Sequence, residues 1–178
     1  MGLRKALSYS KKHNRPYTRK SGVKSKNYIK TIPPQKVVRF KMGAINDFDQ
    51  GKFKHIVKLV SGEAILIRDN ALEASRQYVN KILEEEMLGQ YFFGVKVYPH
   101  HITRENKMLT GAGADRMSTG MQLSFGVANG RGAFVKKDQP VFLVAFNNEK
   151  FRKRITDALT RIKAKLPCHA RLVMEEVK

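Results

Sequence analysis

The first 46 residues of this chain contain no aspartate and no glutamate. The first acid is Asp47, and thirteen Lys and Arg precede it. Such a block cannot neutralise itself, and it has few large apolar side chains to bury. A self-contained core is therefore excluded there, and ordering calls for an external polyanion. Cysteine is almost absent as well. Cys168 stands alone, so an internal disulfide is excluded, which fits a reducing compartment. Mean hydropathy is −0.44, and no apolar run approaches the roughly 20 residues of a membrane helix. Met1–Lys5 lacks the apolar stretch of a secretory signal. Pro16, Gly22, Pro33 and Pro34 interrupt the amphipathic helix that a transit peptide needs. The acid-free block also shows no basic helix with an apolar face, which argues against a membrane surface as the polyanion.

What is present is basic. Lys and Arg number 35 against 15 acids, giving a net charge of +20 and a pI near 10.2. Apolar residues make up 42% of the chain, enough for a core in one domain plus an extension. Residues 1–35 read as the extension and 36–178 as a single domain. In the extension, Arg4, Lys5, Lys11, Lys12, Arg15, Arg19, Lys20, Lys24, Lys26 and Lys30 are candidates for phosphate contacts. Tyr9, Tyr17 and Tyr28 are interleaved with them and suit stacking on ribose or bases. Clustered cations at this pI point first to nucleic acid.

Beyond the extension, regular patterns set in. Lys36–Met42 and Phe53–Val60 are β-branched and half-alternating, and predict two strands across the turn-rich segment Gly43–Gly51. Ala64–Ile67 predicts a third. Asp69 or Asn70 stands where a helix N-cap belongs, and Ala71, Leu72, Ala74, Ser75, Tyr78, Val79, Ile82 and Leu83 follow at 3.6-residue spacing. Gly89 supplies a stop. Glu84–Glu86 oppose the macrodipole at that end and read as a solvated face. Gly94–Tyr98 predicts a strand closed by Pro99, and from His100 to Gly130 neither period holds for long. Phe134–Val135 and Val141–Phe146 predict a hairpin or neighbouring strands. Asn147 or Asn148 caps a second helix, with Phe151, Ile155, Ala158, Leu159, Ile162 and Leu166 on one face and Pro167 at its end. Ala170–Met174 predicts the last strand. This order predicts an α+β fold: a two-layer sandwich of a mostly antiparallel sheet with two amphipathic helices.

The segment His100–Gly120 exceeds the ~12–15 residues beyond which unstructured loops are usually functional. It carries Arg104, Lys107 and Arg116 against Glu105 and Asp115, with His100, His101 and Asn106 beside them. Gly111, Ala112 and Gly113 allow close approach of another backbone. That mix favours RNA contact over a bland surface loop. A phosphate-cradling Gly-Lys-Ser/Thr is missing, and G-x-G-x-x-G fails because Arg116 holds the third glycine position. His100 and His101 are adjacent, so in a strand they point to opposite faces and rarely share a metal ion. Cys168 and His169 have the same fault, and no C-x-x-C or H-E-x-x-H occurs. The Cys168 thiol beside Pro167 reads as inert. Glu63, Asp69 and Asp115 are isolated carboxylates with no acid–base pairing. No catalytic residue, metal or cofactor is expected.

Several stretches, in order, resemble one family. They are Arg15–Arg19 (RPYTR), Ile67–Ala74 (IRDNALEA), Val97–His101 (VYPHH), Arg104–Met108 (RENKM), Thr110–Arg116 (TGAGADR), Thr119–Met121 (TGM), Phe125–Gly126, and the closing Leu-Pro and Glu-Glu. Together they resemble the universal large-subunit ribosomal proteins of the sixteen family, in its archaeal ten-e branch, over nearly the whole chain. The resemblance implies an α+β sandwich without enzymatic activity, bound to large-subunit ribosomal RNA beside neighbouring ribosomal proteins on the cytoplasmic ribosome. It implies that Arg104, Asn106, Lys107, Gly111, Ala112, Gly113, Asp115 and Arg116 lie in a loop near the aminoacyl-tRNA position, reaching toward the peptidyl transferase centre and meeting tRNA transiently. It also puts the Arg15–Arg19 motif, with Tyr17, on the RNA-facing side. The chain departs from the family at Gln122-Leu123, where Arg is common, and at Val127-Ala128, where Lys-Pro is usual. Those changes would remove one or two phosphate contacts. The reading is therefore a structural ribosomal RNA-binding protein. An RNA-modifying enzyme with a basic docking arm and a free-standing tRNA- or RNA-binding module are the alternatives. No cofactor or nucleophile motif favours the former.

Overall fold

The computed structural model describes Lys5, residues 23–106 and residues 124–176. In chain order, its strands are β1 (Lys41–Gly43), β2 (His55–Ser61), β3 (Ile65–Arg68), β4 (Tyr91–Val95), β5 (His101–Glu105), β6 (Val127–Val135), β7 (Pro140–Phe146) and β8 (Ala170–Glu176). Its α-helices are α1 (Ile45–Asp49), α2 (Asp69–Met87) and α3 (Arg152–Ile162). Five strands form one antiparallel sheet in the order β1-β4-β7-β2-β8, and three form a second in the order β3-β6-β5. Helices α2 and α3 pack on each other and close one layer, giving the α+β sandwich. The single sheet of the sequence reading is thus two sheets that share one core.

The helices follow their spacing. Leu72, Ser75, Val79, Leu83 and Met87 are buried along α2, and Ile155, Ala158, Leu159 and Ile162 along α3. These meet Val57, Leu59, Phe93, Phe142 and Val144 of the larger sheet and Ile65, Ile67, Ala133 and Val135 of the smaller one. The larger sheet is also covered on its far side. Phe53, Phe92, Leu143 and Ala145 form a second buried cluster under Ala44, Ile45 and Phe48 of the α1 region. Phe48 stacks on Phe92 with centroids 3.9 Å apart and planes at 11°. Strands buried on both faces lose their polar alternation, which is why β4 (YFFGV) and β7 (PVFLVAF) read as continuous apolar runs.

Five expectations shift. Of the segment Lys36–Met42 only Lys41 and Met42 are strand, at the start of β1, because the Lys36 and Val38 amides donate to side chains of α2 instead of a neighbouring strand. The strand expected at Gly94–Tyr98 lies at Tyr91–Val95, directly after the left-handed turn at Gly89 (φ +75°) that ends α2. β6 and β7 are successive but belong to different sheets. The turn between them bonds to β2, with the Asp138 amide donating to Ser61 O at 2.8 Å and the Ser61 amide to Gln139 O at 3.1 Å. Lastly, the stretch from His100 to Gly130, read as lacking a period, begins with β5 and ends within β6. The helix cap moves by one residue: α2 starts at Asp69, so the cap position falls on Arg68, whose side chain makes no capping bond.

The doubly covered sheet makes a sharp expectation. Phe92 and Phe93 are neighbours on opposite faces, yet each is buried. Phe92→Ala and Phe93→Ala should each lower unfolding free energy by about 3–5 kcal/mol in denaturant titrations. A loss below about 1 kcal/mol for Phe92→Ala would mean that α1 does not cover that face.

Candidate nucleic-acid interface

The chain enters the domain through a set of bonds between backbone and side chains. Ile29 is 3% exposed and Val37 1%. Between them, the Arg131 Nε donates to Pro33 O at 2.7 Å. The Lys36 amide donates to Asp69 Oδ2 at 3.3 Å, and the Val38 amide to Glu73 Oε2 at 3.4 Å. Asp69 and Glu73 lie one turn apart on α2, so both carboxylates face the incoming strand. Asp69 also accepts from the Asn70 amide at 2.9 Å, and its charge favours the positive end of the helix. Burial pushes the Asp69 carboxyl above its ordinary value, against the pull of the Lys36 and Asn70 amides. The hydrogen bond from Arg76 holds Glu73 below its ordinary value, against burial. Arg76 grips Glu73 in a bidentate fork, Nε to Oε2 at 2.8 Å and Nη2 to Oε1 at 2.6 Å, with Gln77 Nε2 on Oε1 at 3.0 Å.

The second region is the stalk of the long loop. β5 and β6 pair from His101↔Gly132 to Glu105↔Val127, with a register shift between Thr103 and Arg104. Arg104 Nη1 donates to Phe125 O at 2.8 Å, and its guanidinium carbon sits 4.3 Å from the Phe125 ring centroid. Its Nε is buried with no acceptor among the described residues, a cost of about 1–3 kcal/mol that the ring and carbonyl contacts must offset. Asn129 Nδ2 donates to Glu105 Oε2 at 2.9 Å. Both sides of the loop are thus tied together at its base. Gly126 turns the chain into β6 at φ +76°, a conformation that costs other residues more.

These two regions meet. Tyr28, Ile29, Lys30 and Pro33 of the extension and Phe125 and Val127 of the stalk line a groove of about 360 Å³. Beside it lies a groove of about 280 Å³ that also borders Pro33 and holds Lys36, Arg68, Asp69 and Arg131.

Of the residues singled out from sequence, Arg4, Lys11, Lys12, Arg15, Tyr17, Arg19, Lys20, Lys107, Gly111, Ala112, Gly113, Asp115 and Arg116 lie outside the described residues, as do Tyr9 and Gln122-Leu123. Lys5, Lys26 and Lys30 are exposed, and Lys24 begins a short 3-10 turn. Arg104 and Asn106 sit at the loop base. His100 and His101 diverge: His100 packs on Tyr98 with centroids 5.1 Å apart, and His101 on Phe134 at 4.7 Å. Among the described residues, no group of three His, Cys, Asp or Glu could hold a metal ion. Burial raises the Cys168 thiol above its ordinary value, away from thiolate reactivity. Glu84, Glu85 and Glu86 are exposed and meet Asn80, Lys81 and Arg154. Sequence reasoning missed the anchoring roles of Glu73 and Arg131. Glu73 occupies a helix position that reads as solvated, and Arg131 is one cation in a Gly-rich run, so neither carries a local signal.

Glu73→Gln should cost about 1–3 kcal/mol at neutral pH, because it removes a charged hydrogen-bond acceptor and leaves Arg76 without its counter-charge. Glu73's pKa is lowered on folding, so its contribution is full above its ordinary value of 4.5 and disappears as pH falls through the folded value. The gap between parent and variant should therefore close in acid, and amide exchange at Lys36 and Val38 should quicken in the variant. A gap that widens as pH falls would contradict the assignment.

A family model described as "Ribosomal protein L16p/L10e" matches residues 12–173. A protein named "Large ribosomal subunit protein uL16" in Methanococcus maripaludis strain S2 is 45% identical over 179 aligned residues, covering 100% of this chain and 97% of the relative. Proteins of the same name in Staphylothermus marinus, at 40% identity over 100% of this chain and 97% of the relative, and in Thermofilum pendens, at 39% over 100% of both, are similar along their whole length. The chain belongs to the ribosomal protein L16p/L10e family.

Proposed function

We propose that this chain is a structural constituent of the large ribosomal subunit. In this reading it binds large-subunit ribosomal RNA through its N-terminal extension and shapes the aminoacyl-tRNA site with its long loop. Membership of a structural ribosomal family carries the first part, and with it the absence of enzymatic activity and a place on the cytoplasmic ribosome. No helix among the described residues is long and apolar enough to cross a membrane.

The division of labour follows from charge. Residues 1–35 act as the RNA-binding extension, and residues 36–178 form the domain that fixes their starting point. Thirteen cations without an acid across residues 1–46 displace counterions along the RNA backbone. The partners are large-subunit ribosomal RNA, adjoining ribosomal proteins and, through the loop, tRNA in passing. The loop does no chemistry. It positions an acceptor end, where errors of about an ångström are costly.

In sucrose gradients the protein should sediment stoichiometrically with large subunits, and recovery only near the top would sink the assignment. Binding to large-subunit RNA should weaken steeply with salt, with log K against log[salt] sloping by roughly −0.7 to −0.9 per phosphate. Removing residues 1–22 spares the buried Ile29 but takes Arg4, Lys5, Lys11, Lys12, Arg15, Arg19 and Lys20, so the slope should flatten by up to roughly 5–6. An unchanged slope would move the binding surface off the extension.

The loop should separate assembly from tRNA handling. Arg116→Ala removes one charged contact of about 1–3 kcal/mol, small beside the extension. Occupancy in purified subunits should stay normal while aminoacyl-tRNA accommodation slows. Normal occupancy with a normal rate would reduce the loop to filler, and lost occupancy would make it an assembly anchor.

A further inference from the structure

We infer that the groove between residues 28–33 and 125–128 is a stacking site for one unpaired RNA base, with the adjoining groove taking the flanking phosphate. The inference rests on the RNA-binding reading above and assigns it a particular place. Tyr28 is 50% exposed, Phe125 44% and Val127 57%. Unlike isolated exposed residues such as Leu88, these three line one groove, and a grouped apolar and aromatic surface on a chain of net charge +20 suits a ligand site.

Three observations choose a base as the occupant. The first is the lining. Among the described residues it is aromatic and aliphatic, with Lys30 as its one charged side chain and no carboxylate. A base presents a flat apolar face and belongs to an anionic chain, so both features match it. The second is preorganisation. The Arg104 guanidinium lies over the Phe125 ring at 4.3 Å and is bonded to the Phe125 carbonyl, which holds the ring in place before any ligand arrives. A cation on one face leaves the opposite face for stacking. The third is the neighbouring groove. It meets the first at Pro33 and carries Lys36, Arg68 and Arg131 around Asp69. Both oxygens of that carboxylate already accept backbone amides. Arg131 spends Nε on Pro33 O, and its other N–H groups form the planar fork that suits a phosphate. Apolar slot and cationic slot side by side match one nucleotide and its phosphate.

Stacking on an aromatic side chain carries little salt dependence, whereas a phosphate contact sets the salt slope. The two roles can therefore be read separately. Full-length parent, Tyr28→Leu and Phe125→Leu should be titrated with purified large-subunit ribosomal RNA across a salt series. Leucine keeps the groove apolar and removes the ring. Each variant should bind about 5- to 150-fold more weakly with the salt slope unchanged. Ultraviolet cross-linking of the parent complex, mapped by mass spectrometry, should place a nucleotide on Tyr28 or Phe125. Parent-like affinity in both variants, with cross-links confined to residues 1–22, would overturn the base site and leave RNA binding standing. Parent-like RNA affinity with poor retention in subunits would overturn it in favour of a protein segment. No binding of the RNA by the parent would overturn the broader reading as well.

Discussion

Asp69 and Glu73 hold two backbone amides of the segment that joins the basic extension to the domain. The chain upstream of Asp47 has no acid of its own. Its charged acceptors must come from elsewhere in the sequence: the first turns of α2 supply them at Lys36 and Val38, beside the Arg131 bond to Pro33 O and the burial of Ile29 and Val37. Neither carboxylate is there cheaply. Burial raises the Asp69 carboxyl above its ordinary value, and at Glu73 the Arg76 fork outweighs burial and holds the carboxyl below its ordinary value. What the pair achieves is direction. A chain pinned at Pro33, Lys36 and Val38 leaves the domain at one point, beside the base of the long loop. Residues 28–33 and the base of the loop at 125–128 then lie side by side, although they are far apart in sequence.

The loop base is governed by the same economy of charge. Arg104 could be counted with Lys107 and Arg116 as a cation available to RNA. Its bond to the Phe125 carbonyl and its place over the Phe125 ring make it a clasp between the two ends of the loop instead. The bond from Asn129 to Glu105 reinforces the clasp. A loop whose ends are fixed on paired strands has less freedom to lose when it meets a ligand. A cation used in this way contributes to position before it contributes to affinity.

Much of this was legible in the residues because burial leaves a period. The faces of α2 and α3 emerged from 3.6-residue spacing, and the α+β class from the order of strand and helix signals. Strand pairing was not legible. Phe134–Val135 and Val141–Phe146 read alike as apolar strands, and nothing local says that one joins Ile65–Arg68 while the other lies between β4 and β2. β5 escaped notice because its outward residues include His101 and Arg104, and its polar ends merge into the loop. The segment Lys36–Val38 looked like strand because β-branched residues suit extended backbone. It is held by carboxylates one helix away, a partnership no local pattern encodes. The site was half legible. Charge and motif marked the extension and loop, whereas the groove where they meet depends on residues such as Phe125 and Arg131 that only the fold brings together.

The two-sided burial of the larger sheet bears on function through rigidity. A sheet covered on one face can flex toward solvent, whereas β4 and β7 are packed on both. Packing at near-crystalline density transmits displacement instead of absorbing it. α2 rests on this sheet and carries Asp69 and Glu73 at its start. The smaller sheet contributes to the same core through Ile65, Ile67, Ala133 and Val135, and carries the loop stalk. Both attachment points are therefore referred to a single rigid body. A partner that meets residues 28–33 and the loop base would act on elements already fixed relative to each other. That is what a structural protein can offer a site where it performs no chemistry.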